Sequence, residues 1–421
     1  MIIVLFAAAT AVARVPVIVA LREGAGKKAA IAAAQDAVLQ QLAPSEFTLV
    51  ARWNNIPAFA AEIDRAAIER LQSDPLVRRI DPDVGGSAAM AESVPLIGGD
   101  RVHSLGYTGR GVTVAVLDSG VDSSHPDLAG RIVDEQCFCR NSDGTGCCPN
   151  GQTVQGGAGA GADDHGHGSN VAGIVGSRGI VAHTGVAPEA NLVIIKVLDR
   201  NGRFQGASQV ISGLDWLIDN HPEVRVVNMS LVTDATFSSV CDSAASFTMA
   251  FASAINTLRQ RGTITFVCSG NNASPTVMTA PACIDSAVSV GAVYDSNVGS
   301  ISFFGCADPT TTADQITCFS NSNSTLDLLA PGAVITSDWL HGGLSNFLGT
   351  SQASPHAAGS AAVLLEVRPS LAPDQIESLL KSTGKPILDP RNGVVAPRID
   401  LLAAVSTLLP APDTRHRAVR H

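Results

Sequence analysis

The chain carries little charge. Asp, Glu, Lys and Arg make up 16% of its 421 residues and leave a formal net charge of −10. No run of lysine and arginine occurs in its body, so the electrostatic footprint of a nucleic-acid-binding protein is missing. Basic residues gather only at the end, in Arg415, Arg417 and Arg420, a short stretch read as a frayed tail. No apolar run reaches the length of a bilayer span, which excludes a membrane partner. No internal repeat is found.

What is there describes an ordered globular protein. Hydrophobic residues reach 45%, and 39 glycines with 22 prolines imply many tight connections. The length exceeds one small domain and fits two. Residues 1–13 are apolar and end in Ala11-Val12-Ala13, the small-x-small pattern of a secretory signal, although no positive residue follows Met1. Nine cysteines suit an oxidising, extracellular destination. Cys137, Cys139, Cys147 and Cys148 share one Gly/Asn-rich stretch, and Cys306 with Cys318 brackets a polar loop. These read as disulfide staples, with the connectivity of the first cluster open. A zinc site there is disfavoured because adjacent Cys147-Cys148 lacks the usual two-residue gap. Cys241 and Cys283 can form another bridge. Cys268, closing an apolar run, is then left as a buried thiol.

Residues 14–83 read as a small α+β unit. Strand-like stretches cover Val15–Leu21, Phe47–Val50, Ala58–Ala61 and Val77–Ile80, with helices over Lys27–Leu42 and Ile63–Leu71. The stretch from Gly85 to Met90 is a linker of small residues. Beyond it, apolar runs at Val112–Leu117, Asn191–Leu198, Val224–Ser230, Thr263–Cys268, Ala287–Gly291 and Leu326–Ala330 alternate with helical stretches at 208–220 and 247–261. That alternation predicts a doubly wound parallel sheet covered on both faces.

Three segments carry chemistry. Asp118 follows the first buried run, where open parallel sheets collect working groups. His165 and His167 precede a small-residue helix, and no further ligand at helical spacing supports a metal pair. Ser351, in Gly349-Thr350-Ser351-Gln352-Ala353-Ser354-Pro355, sits between small residues ahead of a helix. A serine hydroxyl needs a base, open approach and donors for the oxyanion it creates.

In their order Asp, His, Ser, these segments resemble the signature motifs of the subtilisin family of serine proteases, and the likeness runs from about Ala91 to Leu408. The order differs from those of chymotrypsin-like enzymes and α/β-hydrolases. The family's His-Gly-Thr-His-Val-Ala-Gly matches His167-Gly168-Ser169-Asn170-Val171-Ala172-Gly173, which selects His167 over His165 and puts Asn170 in place of the second histidine.

The resemblance implies an Asp118–His167–Ser351 triad, Asn271 in Ser269-Gly270-Asn271 as oxyanion donor, and substrate held along Ser230, Leu231 and Gly270. Where the family continues with Gly-Gly, Val232-Thr233 follow, so the wall of the primary pocket is expected narrower or shifted. It also implies a cis Ala280-Pro281 bond, protein or peptide substrates, and a monomeric enzyme needing no cofactor for its chemistry. A structural calcium at Glu92 and Asp127 is left open, because Gly176–Ile180 is shorter than the family's calcium loop and carries Arg178. The leading unit, 14–90, resembles the family's ferredoxin-like inhibitory propeptide, cleaved near Met90-Ala91. The peptidase domain spans 91–408 and the tail 409–421. The rival readings are a catalytically silent peptide-binding relative and an esterase.

Overall fold

The computed structural model describes residues 14–22, 28–53, 57–82 and 90–410. The signal segment, most of the linker and the tail after Pro410 lie outside the described residues. The chain divides into two compact units, Met1–Ser87 and Ala88–His421. Among the described residues no helix is long and apolar enough to cross a membrane.

The first unit runs β1 (Arg14–Leu21), α1 (Lys28–Leu39), β2 (Phe47–Arg52), β3 (Ala58–Asp64), α2 (Arg65–Leu71), β4 (Val77–Pro82). Its antiparallel sheet has the order β2-β3-β1-β4. Val17, Val19 and Leu21 alternate onto the buried face and pack with Val38, Phe59, Ile63 and Leu71, the two-residue period of a half-buried strand. The helix expected from Ile63 begins two residues later. Ile63 belongs instead to the buried face of β3, paired with Val15 and Phe47.

The second unit opens with α3 (Met90–Leu96) and α4 (Gly99–Ser104), followed by β5 (Thr113–Asp118), β6 (Ile132–Phe138), β7 (Val154–Gly156), α5 (His167–Gly176), β8 (Asn191–Lys196), α6 (Ala207–Asn220) and β9 (Val226–Met229). Then come β10 (Thr236–Phe237), α7 (Ser246–Gln260), β11 (Ile264–Cys268), β12 (Met278–Thr279), β13 (Val288–Tyr294), β14 (Ile301–Phe303), β15 (Cys306–Asp308) and β16 (Leu328–Ala333). The chain finishes with β17 (Ile335–Trp339), β18 (Gly343–Phe347), α8 (Thr350–Val367), α9 (Pro373–Thr383), β19 (Lys385–Leu388), β20 (Val395–Arg398) and α10 (Leu401–Leu408).

Ten strands form one sheet in the order β19-β20-β16-β13-β11-β9-β5-β8-β6-β7. From β20 to β6 the neighbours pair parallel, and only β19 and β7, at the edges, run antiparallel. Side chains of β5 feed two cores. Val114 and Val116 join the layer of α5 and α8, whereas Ala115 and Leu117 join that of α6 and α7. A strand buried on both faces must be apolar throughout, which is why these runs lack the polar alternation seen in β1.

Disulfides join Cys137 to Cys148, Cys139 to Cys147, Cys241 to Cys283 and Cys306 to Cys318, and Cys268 is free and buried. The Ala280-Pro281 peptide bond is cis.

Candidate active site

The sheet brings its working groups to the carboxyl ends of its central strands. Asp118 is the last residue of β5, Ser230 follows β9, and Asn271 stands three residues past β11. The amino termini of α5 and α8 supply His167 and Ser351 opposite them.

Asp118 is 1% exposed, and its Oδ1 lies 2.7 Å from Nδ1 of His167 while also accepting the Ser119 backbone N–H at 2.7 Å. With Nδ1 tied to the carboxylate, Nε2 is the nitrogen left for a substrate-side proton. Burial pulls the His167 pKa down, but the charge and hydrogen bond of Asp118, aided by Asp163, outweigh it and leave it raised. The ring meets Phe347 edge-on at 5.9 Å, and Phe347 packs on Trp339 at 5.1 Å. Gly166, just before the histidine, has φ +98° and lies so close under the Trp339 indole that a Cβ would stand 2.4 Å from it. Only glycine meets both conditions.

Asp163 holds this turn. Its carboxylate accepts the backbone N–H groups of His165, Gly166 and Ser169 and the hydroxyls of Ser119 and Ser169. Burial alone would raise its pKa; these bonds reverse the shift and hold it low. The Ser119 hydroxyl in turn accepts Gly168 N–H at 2.8 Å. The loops carrying Asp118 and His167 are thereby locked together.

Ser351 occupies the first turn of α8, where backbone N–H groups have no intrahelical acceptor. Pro355, one turn on, has no N–H to give the Ser351 carbonyl. The Ser230 hydroxyl takes its place at 2.7 Å. Ser230 is itself held by Asn228 Nδ2 at 3.0 Å, and Asn228 Oδ1 accepts the Ser354 hydroxyl at 2.7 Å. The Ser351 hydroxyl donates to the Ser230 carbonyl at 3.3 Å and lies 4.0 Å from the Cys268 sulfur. Burial pushes the Cys268 thiol up to about 12, so it stays a neutral thiol at physiological pH.

Asn271 is aimed by a residue the sequence did not single out. Thr350 donates both its N–H and its hydroxyl to Asn271 Oδ1, each at 2.9 Å. With its oxygen engaged there, the amide turns its NH₂ toward Gly349, the residue preceding Thr350-Ser351. Gly270 does not line the cleft. Its N–H goes to Thr350 Oγ1 and its carbonyl accepts Asn321 N–H, so both its backbone groups are used inside the protein.

His167 and Ser351 open on one cleft of about 750 Å³, which Ser230, Leu231, Val232, Thr233, Phe204 and Phe304 also line. His165 stands at its edge. Asn170, in place of a second motif histidine, is buried and donates to the Ser345 carbonyl at 3.2 Å while accepting Gln352 Nε2 at 3.3 Å. It therefore ties α5 to β18 and to the start of α8.

The residues at the expected calcium position do not fit that ion. Asp127 is buried, and its carboxylate accepts the N–H groups of Ile180, Val181 and Ala182. Calcium requires oxygen ligands, and this loop offers amide protons instead. Arg178 donates to the adjacent Pro126 carbonyl. Glu92, on α3, is not among the groups clustered around Asp127; its charge adds to the burial that pushes the Asp295 carboxyl up to about 7.

The model of the subtilase family matches residues 109–397. Subtilisin E of Bacillus subtilis is 33% identical over 336 residues, which cover 78% of this chain and 75% of that protein. Alkaline serine exoprotease A of Vibrio alginolyticus is 31% identical over 81% of this chain and 58% of its own length. Among solved structures, a cold-adapted subtilisin-like serine proteinase superposes with a TM-score of 0.52 at 29% identity, covering 76% of this chain and 93% of that one. A structure of proteases from Pseudoalteromonas arctica gives a TM-score of 0.57 at 25% identity, covering 76% and 94%. The chain belongs to the subtilase family, and it is a subtilisin-like serine endopeptidase.

Proposed function

We propose that Asp118, His167 and Ser351 are the catalytic triad of this endopeptidase and that Asn271 donates to its oxyanion. The observation that carries the reading is the 2.7 Å contact of Asp118 with His167 beside a serine at the start of a helix. The Ser351 hydroxyl leaves the Ser230 carbonyl, gives its proton to His167 Nε2, and its Oγ bonds to the substrate carbonyl carbon. The carbonyl π bond opens onto oxygen, which takes hydrogen bonds from Asn271 Nδ2 and the Ser351 N–H. Asp118 holds the imidazole tautomer and stabilises the positive charge. The tetrahedral intermediate collapses, the C–N bond breaks, and His167 returns the proton to the leaving amine. Water then repeats the sequence on the acyl-enzyme.

Substrate lies as an added strand on Ser230–Leu231, with Val232 and Thr233 narrowing the primary pocket. The first unit is an inhibitory propeptide that the enzyme, working as a monomer, removes near Met90-Ala91. Four disulfides fit a secreted enzyme, and a Thermus relative is named an extracellular serine proteinase.

Steady-state hydrolysis of a peptide library tests the roles. Ser351→Ala is expected to lose at least about 10⁴-fold in kcat. Asn271→Ala is expected to lose about 10²–10³-fold, a range taken from a subtilisin's oxyanion amide and transferred here. Unchanged turnover in either variant removes that residue from its role.

A further inference from the structure

One buried cluster has no part in peptide hydrolysis. His125, Asp127 and Asp338 are each 0% exposed, and one ligand atom from each lies within 4.8 Å of the others. His125 Nδ1 is 3.9 Å from Asp127 Oδ2 and 3.7 Å from Asp338 Oδ1. The other ring nitrogen, Nε2, stands 3.0 Å from the Gly343 carbonyl, which can only accept. The proton therefore sits on Nε2, and Nδ1 carries the lone pair, the tautomer of a metal-ligating histidine, with a carboxylate oxygen of each aspartate within 4 Å. That lone pair accepts the Asp127 backbone N–H at 3.2 Å, a bond the metal would replace.

Asp338 gives the second, independent sign. Neither of its carboxylate oxygens accepts a hydrogen bond, and the adjacent Ser337 hydroxyl is also without a partner. Gly173 of α5 leaves the room beside them, since a Cβ there would lie 2.4 Å from Ser337 Oγ and 2.7 Å from Asp338 Oδ2.

We propose that His125, Asp127 and Asp338 form a structural site for a zinc-like divalent transition metal. One imidazole nitrogen with two carboxylate oxygens is a donor set for zinc, whereas calcium takes about six to eight oxygens. Tetrahedral bonds of about 2.0–2.2 Å place ligand atoms roughly 3.3–3.6 Å apart, so the 3.7 and 3.9 Å spacings from His125 Nδ1 need only slight contraction. The metal joins the loop after β5 to strand β17.

The test uses the full chain with Ser351→Ala, which prevents self-digestion, stripped of metal and titrated with zinc chloride in a calorimeter. One zinc per chain and a thermal midpoint that rises with zinc are expected. Asp338→Asn should weaken zinc binding at least about 100-fold and uncouple the midpoint from zinc, with an unchanged circular dichroism spectrum. Calcium chloride should move neither reading. Should Asp338→Asn fail to fold, cobalt added to the chain with the cluster intact must give the visible band of a tetrahedral nitrogen and oxygen site. No stoichiometric zinc, equal affinity in a folded Asp338→Asn, a response to calcium alone, or no cobalt band overturns the proposal and leaves the two carboxyls sharing a proton.

Discussion

Asn271 shows how much a single side chain owes to its neighbours. An asparagine after Ser-Gly is ambiguous as a string; what aims its amide is the pair of bonds from Thr350 to Oδ1. Thr350→Val removes the hydroxyl donor and keeps the backbone one, so kcat should fall about 10-fold with KM nearly unchanged, because the loss acts on the oxyanion. Equal loss in KM would point to substrate binding instead. As the proposed base, His167 should set the acid limb of the pH profile. Its pKa is raised above the usual 6.5, and only the neutral ring accepts the serine proton. Activity is therefore lost as pH falls through a value above 6.5, and Asp118→Asn should move that limb to lower pH as well as lowering its plateau. A pH profile of kcat/KM checks both.

At the scale of the element, α8 gathers the consequences. Pro355 deprives the Ser351 carbonyl of its helical partner and Ser230 supplies another, so Ser230→Ala leaves a buried acceptor unpaired. A loss of about 1–3 kcal/mol in unfolding free energy is expected from denaturant titration. Further along α8, His356 is fully buried, with Nδ1 at the Gln352 carbonyl and Nε2 at the Ser93 hydroxyl, and burial lowers its pKa to about 4. The unfolded histidine binds a proton below about 6.5 and the folded one does not until near pH 4. Stability is therefore lost as pH falls across that window, by roughly 3 kcal/mol at its lower end. His356→Gln should flatten this part of a thermal-midpoint profile against pH; a slope equal to that of the unsubstituted chain would contradict the assignment.

At the scale of the molecule, the central strands were legible because strands buried on both faces are continuous apolar runs, and α6 and α7 stood between them as helical stretches. The hairpins were not. In β17 and β18, Thr336, Ser337 and Asp338 are polar yet buried or nearly so, and no periodic signal announces them. The segments bearing the candidate triad could be read from local sequence. Asp163, Asn228 and Thr350 could not, because their work is done through partners distant in the chain. The expected processing bond, Met90-Ala91, falls at the start of α3, so cleavage requires that turn to open. Amino-terminal sequencing should find the unsubstituted chain beginning near Ala91 and the Ser351→Ala chain uncleaved there. A cut chain in Ser351→Ala would assign the cleavage to another protease.

The most direct test is a crystal structure with a peptide aldehyde bound. The account predicts a hemiacetal bond from Ser351 Oγ to the aldehyde carbon. Its oxygen should stand about 3 Å from both Asn271 Nδ2 and the Ser351 backbone nitrogen, with the peptide strand along Ser230–Leu231. An aldehyde unbound to Ser351, or an oxygen directed away from Asn271, would contradict it.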